Sequence, residues 1–270
     1  MTELERYKKK LETAEQKVRI LEDMIEVRTR ELYMFNQELE RKNKDLELFT
    51  HIAAHDLQEP LISISNFSDL LLLRYGGQLD ERAQKYLNTI INSSTRMREM
   101  VRNLMTYNDI GVEKVKTKVD CHALVMEVQN DLADSIERTQ ATFNLAQLPS
   151  VSGYETELRL LFQNLISNAI KFRKKDTSPI IKISSVKKSN EVEFIVEDNG
   201  IGILKENEEK IFLIFQRVHS KMEYEGTGIG LAHCKKIVDH HNGQIWVEGV
   251  PDVGCAFHFT MPLAKTGHGM

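Results

Sequence analysis

Apolar residues recur every seventh position from the start of the chain: Leu4, Leu11, Val18, Ile25, Leu32, Leu39 and Leu46. A second series, Tyr7, Ala14, Leu21, Arg28, Phe35, Lys42 and Phe49, interleaves with it and carries two basic defects. This is an a/d heptad pattern, and a strict 3.5-residue period specifies a supercoil, not a lone amphipathic helix. It predicts a parallel coiled-coil dimer over residues 1–49, roughly 70 Å long at about 1.5 Å per residue.

After Phe49 the register shifts. Continuing it would put Asp56 in the core, whereas Leu57, Leu61, Ile64, Ser68 and Leu71 form an apolar series offset by four residues, a stutter. In "AAHDLQEPLIS" (53–63), His55 falls outward in both registers, and Pro60 removes the hydrogen bond to the Asp56 carbonyl and predicts a bend just beyond the histidine. His51 is expected to be a partly packed neighbour. "RYGGQLDERA" supplies a turn at Gly76 and Gly77 and an N-cap at Asp80. The next helix carries Ala83, Leu87, Ile90, Ser94, Met97, Val101 and Leu104 on one face. Two such hairpins brought together by the stalk predict a dimeric four-helix bundle over 50–112.

From residue 113 to 265 the pattern turns to mixed helix and strand. Asp120 caps a helix expected to reach about 138, "ATFNLAQLPSVSG" reads as extended, and a helix covers 155–172. "IIKISSVK" and "EVEFIVED" read as strands, 203–225 reads as a lid, a helix runs from about Ile229 to His241, and "QIWVEG" and "AFHFTM" close the domain. The expected class is α+β: coiled coil, helical bundle, then an α/β sandwich with one helical layer on a mixed sheet. Residues 266–270 read as a tail.

Composition narrows the function classes. A net charge of −4, from 36 basic and 40 acidic residues, gives no electrostatic reason for a nucleic-acid or membrane partner. No apolar run approaches the roughly 18 residues of a membrane span. "MTELERYKKK" lacks the apolar core of a signal peptide, and three scattered cysteines suit a reducing compartment. The expected location is the cytoplasm.

Four stretches carry candidate chemistry. Asn164, Asn168 and Lys171 lie at i, i+4 and i+7 of one helix; amide oxygens with a lysine suit Mg²⁺ and phosphate, although a plain polar face has the same spacing. "VEDNGIGI" ends a strand on Asp198, Gly200 and Gly202, a carboxylate able to accept from an exocyclic amine beside a tight turn. "EGTGIGLAHCKKIV" sets Gly226, Thr227, Gly228, Gly230 and Leu231 at a helix start, an arrangement suited to anions but neither a P-loop nor a good dinucleotide fingerprint. "KIFLIFQRVHS" places Phe212 and Phe215 at helical spacing, expected as core, followed by Arg217 and His219.

In order and spacing, "FTHIAAHDLQEPL" resembles the phospho-acceptor box of sensor histidine kinases. "LFQNLISNAIKF" resembles their asparagine box, "EDNGIGI" and "GTGIGLA" their glycine boxes, and "IFLIFQRVHS" their phenylalanine box. The resemblance covers roughly 46–263 and looks most like the branch that includes bacterial phytochrome kinases, with a GHKL or Bergerat-type ATP-binding domain. It implies that His55 accepts the γ-phosphoryl group of ATP on a ring nitrogen, with Asp56 as general base or orienting acid. Asn168, helped by Asn164, would hold Mg²⁺, and Lys171 would contact phosphate. Asp198 would read the adenine amine, while Gly200, Gly202, Gly226, Gly228 and Gly230 frame the nucleotide. Residues 203–225 would form a lid, with Arg217 near the transferring group. The implied partners are a second copy of the chain, a response-regulator receiver domain and an upstream sensor, neither of the last two within this chain. One departure stands out: where many relatives have Thr or Asn four residues after the histidine, associated with phosphatase action, this chain has Glu59. A related ATPase without histidine transfer, or a dimeric scaffold that only binds nucleotide, would keep the same fold.

Overall fold

The computed structural model describes residues 3–112, 115–189, 191–216 and 226–263, with side chains from Glu15 onward except that of Glu47. Arg217, His219 and the tail lie outside the described residues. The chain divides into two units, 1–53 and 54–270.

All described residues of the first unit belong to helix α1 (Glu3–Tyr75), whose later residues belong to the second. In the first unit Val18, Leu21, Ile25, Leu32, Phe35, Leu39, Leu46 and Phe49 are all exposed in the single chain. That is the a/d stripe, unburied because one helix cannot cover its own seam. The two basic residues in the d series pair along their own helix, Arg28 with Glu31 at 2.6 Å and Lys42 with Glu38 at 3.0 Å. His51 is exposed, not partly packed.

In the second unit α1 stays helical through Pro60, and a 3₁₀ turn (Gly76–Gln78) leads to α2 (Glu81–Asp109). Asp80 caps α2 by accepting from the Ala83 N–H at 2.7 Å. Ala54, Leu61, Ser65, Ser68 and Ser94 are buried, and Gln58 Nε2 donates to Met105 Sδ at 3.3 Å across the hairpin. Leu57, Ile64 and Leu71 remain 55%, 44% and 46% exposed. The hairpin therefore buries one stripe and leaves another open.

The remainder is an α/β sandwich. Strands β1 (Thr117–Asp120) and β3 (Ser150–Gly153) form a two-stranded antiparallel ribbon. Strands β2 (Thr142–Leu145), β4 (Ile180–Lys187), β5 (Glu191–Asp198), β6 (Ile245–Val250) and β7 (Gly254–Pro262) make one sheet in the order β2-β4-β5-β7-β6. Only β2 and β4 run parallel. Every second residue of the central strands is buried: Ile181 and Ile183, then Val192, Phe194 and Val196, then Phe257, Phe259 and Met261. Helices α3 (Cys121–Asp131), α5 (Glu155–Lys171) and α6 (Gly230–His240) supply the other core layer. At its centre Phe162 of α5 meets Phe194 and Phe259 edge-on, with centroids 5.9 and 5.5 Å away.

Two expectations need correction. The helix that Asp120 caps ends at Asp131, and α4 (Ala133–Thr139) starts afresh after Leu132; Asn130 and Asp131 are poor helix formers at that point. The phenylalanine stretch is not an α-helix. Lys210–Phe212 is a 3₁₀ turn, Phe212 packs on the core, and Phe215 is exposed in a left-handed conformation at φ 64°. No helix among the described residues is long and apolar enough to cross a membrane.

Candidate functional site

Helix α5, the end of β5, the glycine loop before α6 and one side of α2 enclose a cavity of about 380 Å³. Asn164, Asn168 and Lys171 line it from successive turns of α5, as the i, i+4, i+7 spacing requires. Asn164 Nδ2 donates to the Leu160 carbonyl at 3.0 Å, while its Oδ1 lies at the α6 start, 2.7 Å from where a Cβ on Gly230 would stand. Lys171 Nζ lies over the Phe172 ring at 4.4 Å and would be 2.5 Å from a Cβ on Gly226. Side chains at either glycine would fill the space between loop and helix.

Asp198 closes the opposite end. Its Oδ1 accepts from the Gly200 N–H at 2.8 Å and the Cys255 N–H at 3.3 Å. Burial pushes its carboxyl above the ordinary carboxylate range, and those two N–H donors oppose the shift. Gly202 must be glycine: it has φ +72°, and a Cβ there would sit 2.0 Å from the Val250 carbonyl oxygen. Gly200 shapes this turn but does not line the cavity, whereas Gly202, Gly226, Thr227, Gly228, Gly230 and Leu231 do. Burial also holds the neighbouring Cys255 thiol up at about 12, so it stays neutral.

His55 belongs to a different surface. It does not line the cavity, and its side chain on α1 is 65% exposed. Nδ1 lies 3.4 Å from Asp56 Oδ1, so neighbouring residues on one helix do meet through their rotamers. Nε2 lies 3.8 Å from Glu59 Oε1, beyond hydrogen-bond range.

Residues 45–113 match the family described as the His Kinase A (phospho-acceptor) domain. Residues 153–265 match the Histidine kinase-, DNA gyrase B-, and HSP90-like ATPase. The chain belongs to the histidine kinase family. Over 236 residues it is 40% identical to phytochrome-like protein Cph1 of Synechocystis sp., covering 87% of this chain and 31% of that protein. It is 38% identical over 234 residues to cyanobacterial phytochrome A of Nostoc sp., with 86% and 30% covered. This histidine kinase chain thus spans about a third of the length of those relatives. Histidine kinase ThkA, solved in complex with the response regulator protein TrrA, has 26% identity and a TM-score of 0.58, covering 86% of this chain and 67% of that one. Full-length ShkA in complex with AMPPNP has the same fold at 22% identity and a TM-score of 0.62, with 80% and 45% covered.

The cavity also takes residues that the motif chemistry does not single out. Ser167, Ile203, Ile211, Gln216 and His233 stand within the quoted stretches beside the highlighted residues, while Phe257 of β7 and Glu99 and Asn103 of α2 are brought in by the fold. A second cluster, Glu157, His240 and His241, has the composition of a metal site. Its ligand atoms are already engaged. Glu157 accepts from the Gly111 N–H at 2.9 Å and pairs with His240 Nδ1 at 2.9 Å. His241 accepts from the Tyr154 N–H at Nε2 and bonds the Ile237 carbonyl through Nδ1. The cluster is a clasp tying the end of α2 to α5 and α6.

Proposed function

We propose that this chain is the output module of a cytoplasmic sensor histidine kinase, using ATP and Mg²⁺ to phosphorylate itself on His55 and then passing the group to an aspartate of a response regulator. The observation that carries this is the cavity, where two helix amides, a lysine, a half-buried carboxylate and a glycine loop converge. The fit to ATP rests on that donor set and on the close approach of Gly226 and Gly230 to Lys171 and Asn164.

Each residue then has a task. Asp198 accepts the adenine amine through Oδ2, since Oδ1 already takes two backbone donors. Lys171 and the N–H groups at the start of α6 bind phosphate oxygens. Asn168, with Asn164 Oδ1, would hold Mg²⁺, which would supply neutralisation of the charge on the transferring group. Asp56 accepts the hydrogen bond from Nδ1–H and so leaves the Nε2 lone pair pointing away for attack. His55 Nε2 forms the new N–P bond as the bond from the γ-phosphorus to the β–γ bridging oxygen breaks, and ADP leaves. Arg217, outside the described residues, would act beside the transferring group.

The open stripe of Leu57, Ile64 and Leu71, with the exposed heptad residues, supports a homodimer in which the two hairpins complete a four-helix bundle. That division gives a stalk to residue 49, a dimerisation and phosphotransfer domain at 50–112 and an ATP-binding domain at 113–265. The relative solved with TrrA supports a receiver domain as the second partner.

Incubating the chain with Mg²⁺ and γ-labelled ATP tests the reading. Acid-labile, alkali-stable label should appear on the chain and vanish in His55→Gln and Asn168→Asp. Label that persists in His55→Gln would overturn it; release of free phosphate with no labelled protein would favour a plain ATPase.

A further inference from the structure

Asn103 lies within helix α2, where asparagine is a poor choice, and its side chain reaches the nucleotide loop. Its Nδ2 donates to Thr227 Oγ1 at 3.0 Å. Thr227 stands between Gly226 and Gly228, both at positive φ, so the loop backbone alone does little to fix that hydroxyl. Asn103, by contrast, is firmly held. Its carbonyl accepts from His233 Nε2 at 2.8 Å, and burial lowers the His233 pKa and so favours the neutral ring. One helical turn on, Tyr107 stacks on that ring at 6.0 Å, and Lys236 Nζ donates to the Tyr107 carbonyl at 2.5 Å. Glu99, one turn before Asn103, also lines the cavity.

A hydroxyl has one proton and two lone pairs. When Asn103 fills a lone pair of Thr227, the proton remains available to an acceptor in the cavity, and the bond received makes the hydroxyl a stronger donor. We propose that Asn103 is a positioning residue for the nucleotide, acting from the phosphotransfer hairpin through Thr227, so that α2 forms a working wall of the phosphate end of the site. This rests on the reading of the cavity as an ATP site. It makes nucleotide affinity depend on α2 being in place, although His55 does not line the cavity in this arrangement.

The test is calorimetric titration of the full chain with Mg²⁺ and AMP-PNP, comparing wild type, Asn103→Ala, Asn103→Asp, Thr227→Val and the Asn103→Ala/Thr227→Val double variant. Loss of one such hydrogen bond predicts about fivefold weaker binding for Asn103→Ala. Asn103→Asp keeps the shape but can only accept, so it draws the hydroxyl proton away and should bind no better than Asn103→Ala. In the double variant Asn103→Ala should add nothing to the loss from Thr227→Val, because one acts through the other. Wild-type affinity in Asn103→Ala or Asn103→Asp, or losses that multiply in the double variant, would overturn the inference and leave the ATP reading standing. If the unsubstituted chain bound no AMP-PNP, the ATP reading itself would fail and take this inference with it.

Discussion

Asp198 and Asp56 are both assigned to one reaction, yet they stand in opposite surroundings. Asp198 ends a central strand, half-buried, with two backbone donors on one oxygen. Asp56 lies on the outside of a helix, mostly exposed, beside an exposed histidine at 3.4 Å. The nucleotide half is thus preorganised by a sheet, helices and a glycine loop, while the acceptor half is a helix surface with little around it. The difference follows from what each must meet. On the proposed reading a nucleotide enters the same cavity each time, and fixed donors stabilise it at no further cost of reorganisation. On the same reading His55 would have to reach two successive partners, the nucleotide and a receiver domain, and so could be enclosed by neither.

Substituting one carboxylate at a time should break the two halves separately. Asp56→Asn removes the group that holds the Nδ1 proton, and the initial rate of phosphohistidine formation should fall by about 100-fold. Its AMP-PNP affinity should stay unchanged. Asp198→Asn should act the other way, weakening AMP-PNP binding by roughly 30-fold through a lost charge-assisted hydrogen bond. Because burial raises the Asp198 pKa, wild-type affinity should fall with acidity and begin falling above the usual carboxylate range. The folded chain holds this proton where the unfolded chain has released it, so Asp198 lowers stability as pH rises through that window. Asp198→Asn should therefore melt slightly higher than wild type at neutral pH without ligand. A lower melting temperature would show that the two N–H bonds need the full charge.

Much of this was open to sequence reading because it is periodic or local. The strand Glu191–Asp198 alternates in burial through Val196, and the heptads name the stalk residues that the single chain leaves exposed. The cavity residues sit in short motifs whose chemistry is carried by residue type: Asn164, Asn168 and Asp198 face the same space. Glu99 and Asn103 escaped because nothing near them in the chain refers to the glycine loop; only tertiary packing joins Asn103 to Thr227. Phe215 escaped for the reverse reason. Its spacing from Phe212 fits a helix, but the backbone turns at positive φ and presents the ring outward.

Smaller effects sharpen the contrast between enclosed and open surroundings. Asp120 caps α3 through the His122 and Ala123 N–H groups at 2.9 and 3.2 Å. Asp120→Ala should cost about 1 kcal/mol of stability in chemical denaturation, and the loss should leave AMP-PNP binding untouched because the cap lies away from the cavity. The smallest change belongs to Glu59. Its carboxylate is 3.8 Å from His55 Nε2, with 71% of the side chain exposed. At that distance it donates nothing and accepts no proper hydrogen bond, so its effect is a like charge facing the incoming phosphate. Exposed charges are heavily screened. Glu59→Gln should therefore speed autophosphorylation by no more than about twofold at low salt, and the gain should vanish as ionic strength rises. A tenfold loss insensitive to salt would make Glu59, not Asp56, the carboxylate that activates His55, and the open half of the site would then hold its base on the side from which phosphate arrives.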